Sequence, residues 1–177
     1  MDKVKKVIVY PICGFANRLR FISTCYSICK KYECNMQIYW KPTDECNLDF
    51  EEIFESIGGI LEIKELPQNY VFFGHKHLYQ IINLVNHHVK TKGEIDNLIL
   101  MGSHEYTIPQ LNKLEFLNFK YQLYNSIIWN TNILKKVEKT INDNNLDNFI
   151  SVHYRGLDKR FDAKDLQNNK NIDFENN

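Results

Sequence analysis

Apolar residues run along the first part of the chain in two periods. Val7, Ile8 and Val9 form an unbroken apolar run inside residues 6–12, which predicts a buried first strand closed by Cys13-Gly14. From 17 to 32 the period changes. Leu19, Ile22, Cys25, Tyr26 and Cys29 recur at spacings of three and four, which predicts a helix, and Arg18, Lys30 and Lys31 lie off that stripe. Residues 35–40 read as a second short strand closed by Lys41-Pro42. This strand–turn–helix–strand opening belongs to an α/β sheet.

Further along, Asp49-Phe50-Glu51-Glu52 has the spacing of a capping box and predicts a short helix through Ser56, ended by Gly58-Gly59. Strands are expected at 60–63, 70–73 and 98–101, and helices at 78–89 and over most of 108–128. Ile133, Leu134, Val137 and Ile141 make an amphipathic helix capped by Asn130 or Thr131 and broken over 142–145. Residues 149–152 then read as a strand, and beyond Phe161 the sequence is polar and Asn-rich.

Composition narrows the classes. Lys+Arg and Asp+Glu each number 22 in 177 residues, so no net charge favours a nucleic acid or an anionic membrane. No apolar run reaches bilayer length. The N-terminal residues show no export-signal pattern, so a cytoplasmic location is expected, with reduced thiols at Cys13, Cys25, Cys29, Cys34 and Cys46.

Two constellations carry chemistry. At the first strand–helix turn stands Gly14-Phe15-Ala16-Asn17-Arg18-Leu19-Arg20, where backbone amides and the helix dipole suit a phosphate or sugar oxygen. On its own this is also an ordinary glycine turn with Asn17 as helix cap, and it lacks two glycines of the dinucleotide fingerprint. The second is Ser151-Val152-His153-Tyr154-Arg155-Gly156-Leu157-Asp158, after a strand. Arg155 offers a charged fork for two phosphate oxygens, His153 shares its side of the strand, and Asp158 could orient either. The plain alternative is a surface Arg–Asp pair beside a core histidine. His75, His77, His87 and His88 have no further ligand at metal-site spacing and read as structural or surface residues.

His153-x-Arg155-x-x-Asp158 at a strand end resembles the donor motif of the fucosyltransferase superfamily that includes protein O-fucosyltransferases and nodulation-type α-1,6-fucosyltransferases. The Gly14 to Arg20 turn is similar to that superfamily's Gly–Asn turn after its first strand, and the likeness spans residues 6–158. It implies an α/β fold of the GT-B kind, with two Rossmann-like domains across a cleft. Residues 1–147 would form the acceptor-side domain, 148–162 the first strand and donor-motif loop of the second, and 163–177 a polar tail. The resemblance implies GDP-fucose as donor and a glycan or protein hydroxyl as acceptor, with no metal. Arg155 would bind the β-phosphate and stabilise departing GDP, His153 would sit beside the nucleotide, and Asp158 would position the motif or the ribose–base end. Asn17 and the backbone of Gly14 and Phe15 would face the sugar–phosphate from the opposite side. Some branches carry a second arginine where this chain has Gly156, which fits the O-fucosyltransferase style better. With so little of a second domain, weak or no donor binding by the chain alone is expected unless a partner chain or an extended reading frame completes the cleft. A non-catalytic relic or binding module, and a same-fold transferase for another nucleotide sugar, are the rival readings.

Overall fold

The computed structural model describes residues 3–106 and 108–144. The chain divides into two compact units, Met1–Val137 and Glu138–Asn177, and the sheet lies in the first. A five-stranded parallel sheet is built from β1 (Val4–Pro11), β2 (Asn35–Ile38), β4 (Leu61–Glu62), β5 (Val71–Phe73) and β6 (Ile95–Gly102), in the order β4-β2-β1-β6-β5. β3 (Phe54–Ile57) and β7 (Ile127–Trp129) form a separate antiparallel pair. The helices are α1 (Phe15–Lys31), the single turn α2 (Phe50–Ile53), α3 (Ile81–Lys92), α4 (Lys113–Asn125) and α5 (Thr131–Asp143). The fold is α/β, as the alternation of periods predicts, and Rossmann-like, as the resemblance implies.

β1 and β6 are the central strands and share one burial pattern along eight residues each. Val7-Ile8-Val9 pairs with Leu98-Ile99-Leu100, and all six are buried. A central parallel strand buries both faces, so it reads as a continuous apolar run rather than an alternation. On one face Val7, Val9, Ile38, Leu98 and Leu100 meet Phe21, Ile22, Cys25, Ile28 and Cys29 of α1, Ile81, Ile82 and Val85 of α3, and Leu123 of α4. On the other face Ile8, Tyr39 and Ile99 pack with Tyr10, Ile63 and Leu66. Residues 63–70 run from β4 at one edge to β5 at the other, and Asn97 Nδ2 donates to the Asn69 carbonyl at 3.0 Å on the way. An extended crossing, not a helix, therefore covers this face.

Several boundaries differ from expectation. The Asp49–Glu52 capping box is present in both directions, but its helix ends at Ile53, because Phe54–Ile57 turns into β3 and pairs with Ile127–Trp129. The tail of the 108–128 segment is for the same reason strand rather than helix. The predicted helix at 78–89 begins as a 3-10 turn, His75–Gln80, before α3. At the start of α5, Asn130 is the cap: its Oδ1 accepts from the Asn132 amide at 2.8 Å, while the Thr131 hydroxyl donates to Glu55. No disulfide joins any of the five cysteines, and burial pushes Cys25 and Cys29 upward in pKa. The expected strand at 149–152 and the proposed boundary at 147–148 lie outside the described residues.

Candidate functional site

All strands of the main sheet are parallel, so their C-terminal ends share one edge, where open α/β sheets bind ligands. β1 leaves that edge through Ile12, whose amide donates to the Gly102 carbonyl at 2.9 Å. Cys13 then takes φ 68, in the left-handed region that a side chain disfavours. Gly14 is the N-cap of α1, with φ −66 and ψ 159, and its carbonyl accepts from the Asn17 and Arg18 amides at 3.0 and 3.1 Å. This corrects the reading of Asn17 as cap and first residue: the helix starts two residues earlier, and Asn17 sits half-buried in its first turn with Oδ1 accepting from Arg20 at 3.3 Å.

No side chain caps this helix and its first turn holds no acidic residue. The amides of Phe15 and Ala16 precede the intrahelical ladder, and the dipole leaves partial positive charge there. Gly14 has ordinary extended angles, and a Cβ built on it would meet only the Glu45 carbonyl, at 3.8 Å. The left-handed backbone at this turn falls on Cys13 instead. The Phe15 ring turns inward, 6.0 Å from Phe54 and 6.2 Å from Trp129, so only its backbone is left to face a ligand.

Arg18 is the residue that sequence reasoning missed. It is fully buried. Nε donates to the Cys13 carbonyl at 2.7 Å, Nη1 to the Lys41 carbonyl at 2.7 Å, and Nη2 to Thr43 Oγ1 at 2.8 Å. The guanidinium lies 4.5 Å from the centre of the Trp40 ring, a desolvated cation–π stack. Trp40 packs in turn on Phe50 and Phe54. Burial draws the Arg18 pKa down, opposed by Cys46, Cys13, Tyr10 and Glu45, but an arginine keeps its charge. A fixed cation thus stands behind the α1 N-terminus. One signal was in the sequence: a cation in the first turn of a helix opposes the dipole and calls for another reason to be there.

β6, the neighbour of β1, ends in a second polar group at the same edge. Ser103 is buried, and its Oγ lies 2.5 Å from Nδ1 of the exposed His104. Glu105 pairs with Lys120, and the Tyr106 amide donates to Thr24 Oγ1 at 3.1 Å, tying this loop to α1. Burial raises the Tyr106 phenol pKa. Beside this loop, Tyr106, Ile108, Leu111, Phe116 and Leu117 line a cavity of about 360 Å³. A second cavity, of about 380 Å³, lies between the C-terminus of α1 and Gly58-Gly59, away from the Gly14 turn.

The structure thus joins Gly14, Phe15 and Asn17 at one strand–helix turn. His153, Arg155 and Asp158 lie outside the described residues. Among the described residues no group of three or more His, Cys, Asp or Glu could hold a metal ion, and no helix is long and apolar enough to cross a membrane.

No family model and no curated protein matches the sequence. The structure is similar to the crystal structure of the fucosyltransferase NodZ from Bradyrhizobium, with TM-score 0.50 and 12% sequence identity over 80% of this chain and 56% of that one. The same values relate it to NodZ α-1,6-fucosyltransferase co-crystallised with GDP and to that enzyme soaked with GDP-fucose. At this identity the likeness is one of fold alone, a Rossmann-like α/β unit. The chain spans 56% of the length of these structures.

Proposed function

We propose that this chain belongs to a glycosyltransferase and forms the side of its cleft opposite the nucleotide-gripping domain, with GDP-fucose as donor and a glycan or protein hydroxyl as acceptor. The observation that carries the reading is the Gly14 turn. It presents an uncapped helix N-terminus, backed by the buried Arg18 cation, at the sheet edge of a fold shared with NodZ. Such a turn suits a diphosphate.

In this reading the acceptor oxygen attacks the sugar's C1 from the face opposite the diphosphate, and the configuration inverts. The C1–O bond electrons pass to the departing diphosphate while the acceptor's proton goes to a base. Positive groups aimed at the growing charge act on the transition state more than on the ground state, and one such donor contributes about 3–4 kcal/mol. Arg155 is assigned to the β-phosphate, His153 and Asp158 to the nucleotide side, and Gly14, Phe15 and Asn17 to the sugar–phosphate. With Arg155 in that role the reading calls for no metal.

Calorimetry with GDP, GDP-fucose and a uridine diphosphate sugar tests it. Guanine-selective binding that weakens in Asn17→Ala supports the assignment, and a partner chain that tightens it would mark a shared cleft. Equal binding of the uridine donor, or Arg155→Lys retaining full donor affinity and turnover, would overturn the donor assignment, because a point charge does not replace a bidentate fork. A chain that binds no nucleotide under any of these conditions would be a non-catalytic module.

A further inference from the structure

We propose that Arg18 is a positioning residue that couples the Gly14 turn to the 41–46 loop, so that the two are ordered together when an anion is held at the α1 N-terminus. The anion rests on the function proposed above; the coupling rests on geometry alone.

Three donors of one planar group reach three acceptors on two separate loops. Nε holds the carbonyl of Cys13, the residue with the left-handed backbone. Nη1 and Nη2 hold Lys41 and Thr43 in the next strand–helix connection. That loop is closed on itself, since the Thr43 amide donates to the Cys46 carbonyl and the Cys46 amide to the Thr43 carbonyl, both at 3.0 Å. Its floor is fixed as well: Trp40, beneath the guanidinium, donates Nε1–H to the Leu48 carbonyl at 2.8 Å. The loop also approaches the turn directly, at Glu45 and Gly14.

A left-handed non-glycine residue persists only where its surroundings hold it, and here the holder is Arg18. Because the side chain is buried, water does not stand in for it. Removing it leaves three acceptors without their donor and frees both loops together. Lysine has a single nitrogen and no rigid fork, so it does not span the three acceptors.

Amide hydrogen exchange on the full chain tests the coupling without requiring activity. The probes are the Asn17, Thr43 and Cys46 amides, with Val85 in α3 and Leu98 in β6 as controls. In Arg18→Met and Arg18→Lys the three probes are expected to exchange about tenfold faster or more, together, while the controls hold. Thr43→Val removes only the Nη2 acceptor and serves if the Arg18 variants do not fold. It is expected to speed exchange at Asn17 as well as at Cys46.

Faster exchange confined to 41–46 in Thr43→Val, or spread equally to the controls in Arg18→Met, would overturn the proposal. GDP supplies the readout that a merely structural arginine would not move. It is expected to protect Cys46 along with Asn17 in the unmodified protein, and Asn17 alone in Thr43→Val. If GDP protects neither amide, the anion at the α1 N-terminus fails, while exchange in the free protein still decides the coupling.

Discussion

On one face of the sheet, Leu98 lies under α1 and α3; one residue along the same strand, Ile99 is equally buried on the other face, under Tyr39 and the extended crossing of residues 63–70. Exposure does not separate the two residues, but their cover does. Helices close one side, and a strap with Ile63 and half-exposed Leu66 closes the other. Burial therefore does not measure how firmly a residue is held. A rigid wall keeps a cavity open after truncation, whereas a strap can settle into it. The cost of truncation depends on that ability to collapse.

The largest effect separates these two faces. Leu98→Ala is expected to cost about 3–5 kcal/mol and Ile99→Ala about 2–3 kcal/mol, read by urea denaturation. An equal or reversed order would show that the strap is as stiff as the helices. Leu66→Ala acts on the strap itself and is expected to cost about 1 kcal/mol, with faster amide exchange across 63–70 and none at Val85. Exchange that rises in α3 as well would mean the two faces open together.

Asp49→Ala probes the helical side without touching the sheet. Its capping box holds α2, and the loss is expected near 1 kcal/mol by the same denaturation. The smallest effect is that of Glu115→Gln, which breaks the 2.6 Å pair between Lys31 of α1 and Glu115 of α4. The hydrogen bond from Lys31 holds the Glu115 carboxyl below its ordinary pKa. A lowered folded pKa contributes stability above the ordinary carboxylate range and loses it as pH falls through that range. Thermal melts of the two proteins should thus differ slightly at neutral pH and converge on acidification. A gap that widens in acid would contradict the pairing.

Legibility in the sequence followed the range of the forces involved. β1, α1 and the Asp49 capping box are set by neighbours a few residues apart, and their patterns announce them. The expected helix through Ser56 gives way to strand at Phe54 because the strand's partner, Ile127–Trp129, lies some 70 residues away and local periodicity does not register it. The 63–70 strap has no period of its own. At the candidate site the Gly14 turn was visible as a strand–helix junction, but Arg18 was not. A charge off the apolar stripe reads as solvated, and its acceptors are two backbone carbonyls and a hydroxyl that become neighbours only when two loops meet.

The outer strands are unusually brief. β4 has two residues and β5 three, against eight in each central strand. Sheet margins offer unpaired backbone groups to any passing chain, and the length of that row decides whether a foreign strand can take hold. At β4 the row is too short to template a partner, and Glu62 and Glu51 share Lys64 beside it, at 2.8 and 2.7 Å, adding charges that a docking strand would have to desolvate. Exposed Leu61 and Phe72 on these margins therefore give no continuous apolar ribbon. The cut-off strands protect the fold against self-templated aggregation. An insertion that lengthened β4 by a few β-branched residues would remove that protection while leaving the interior untouched.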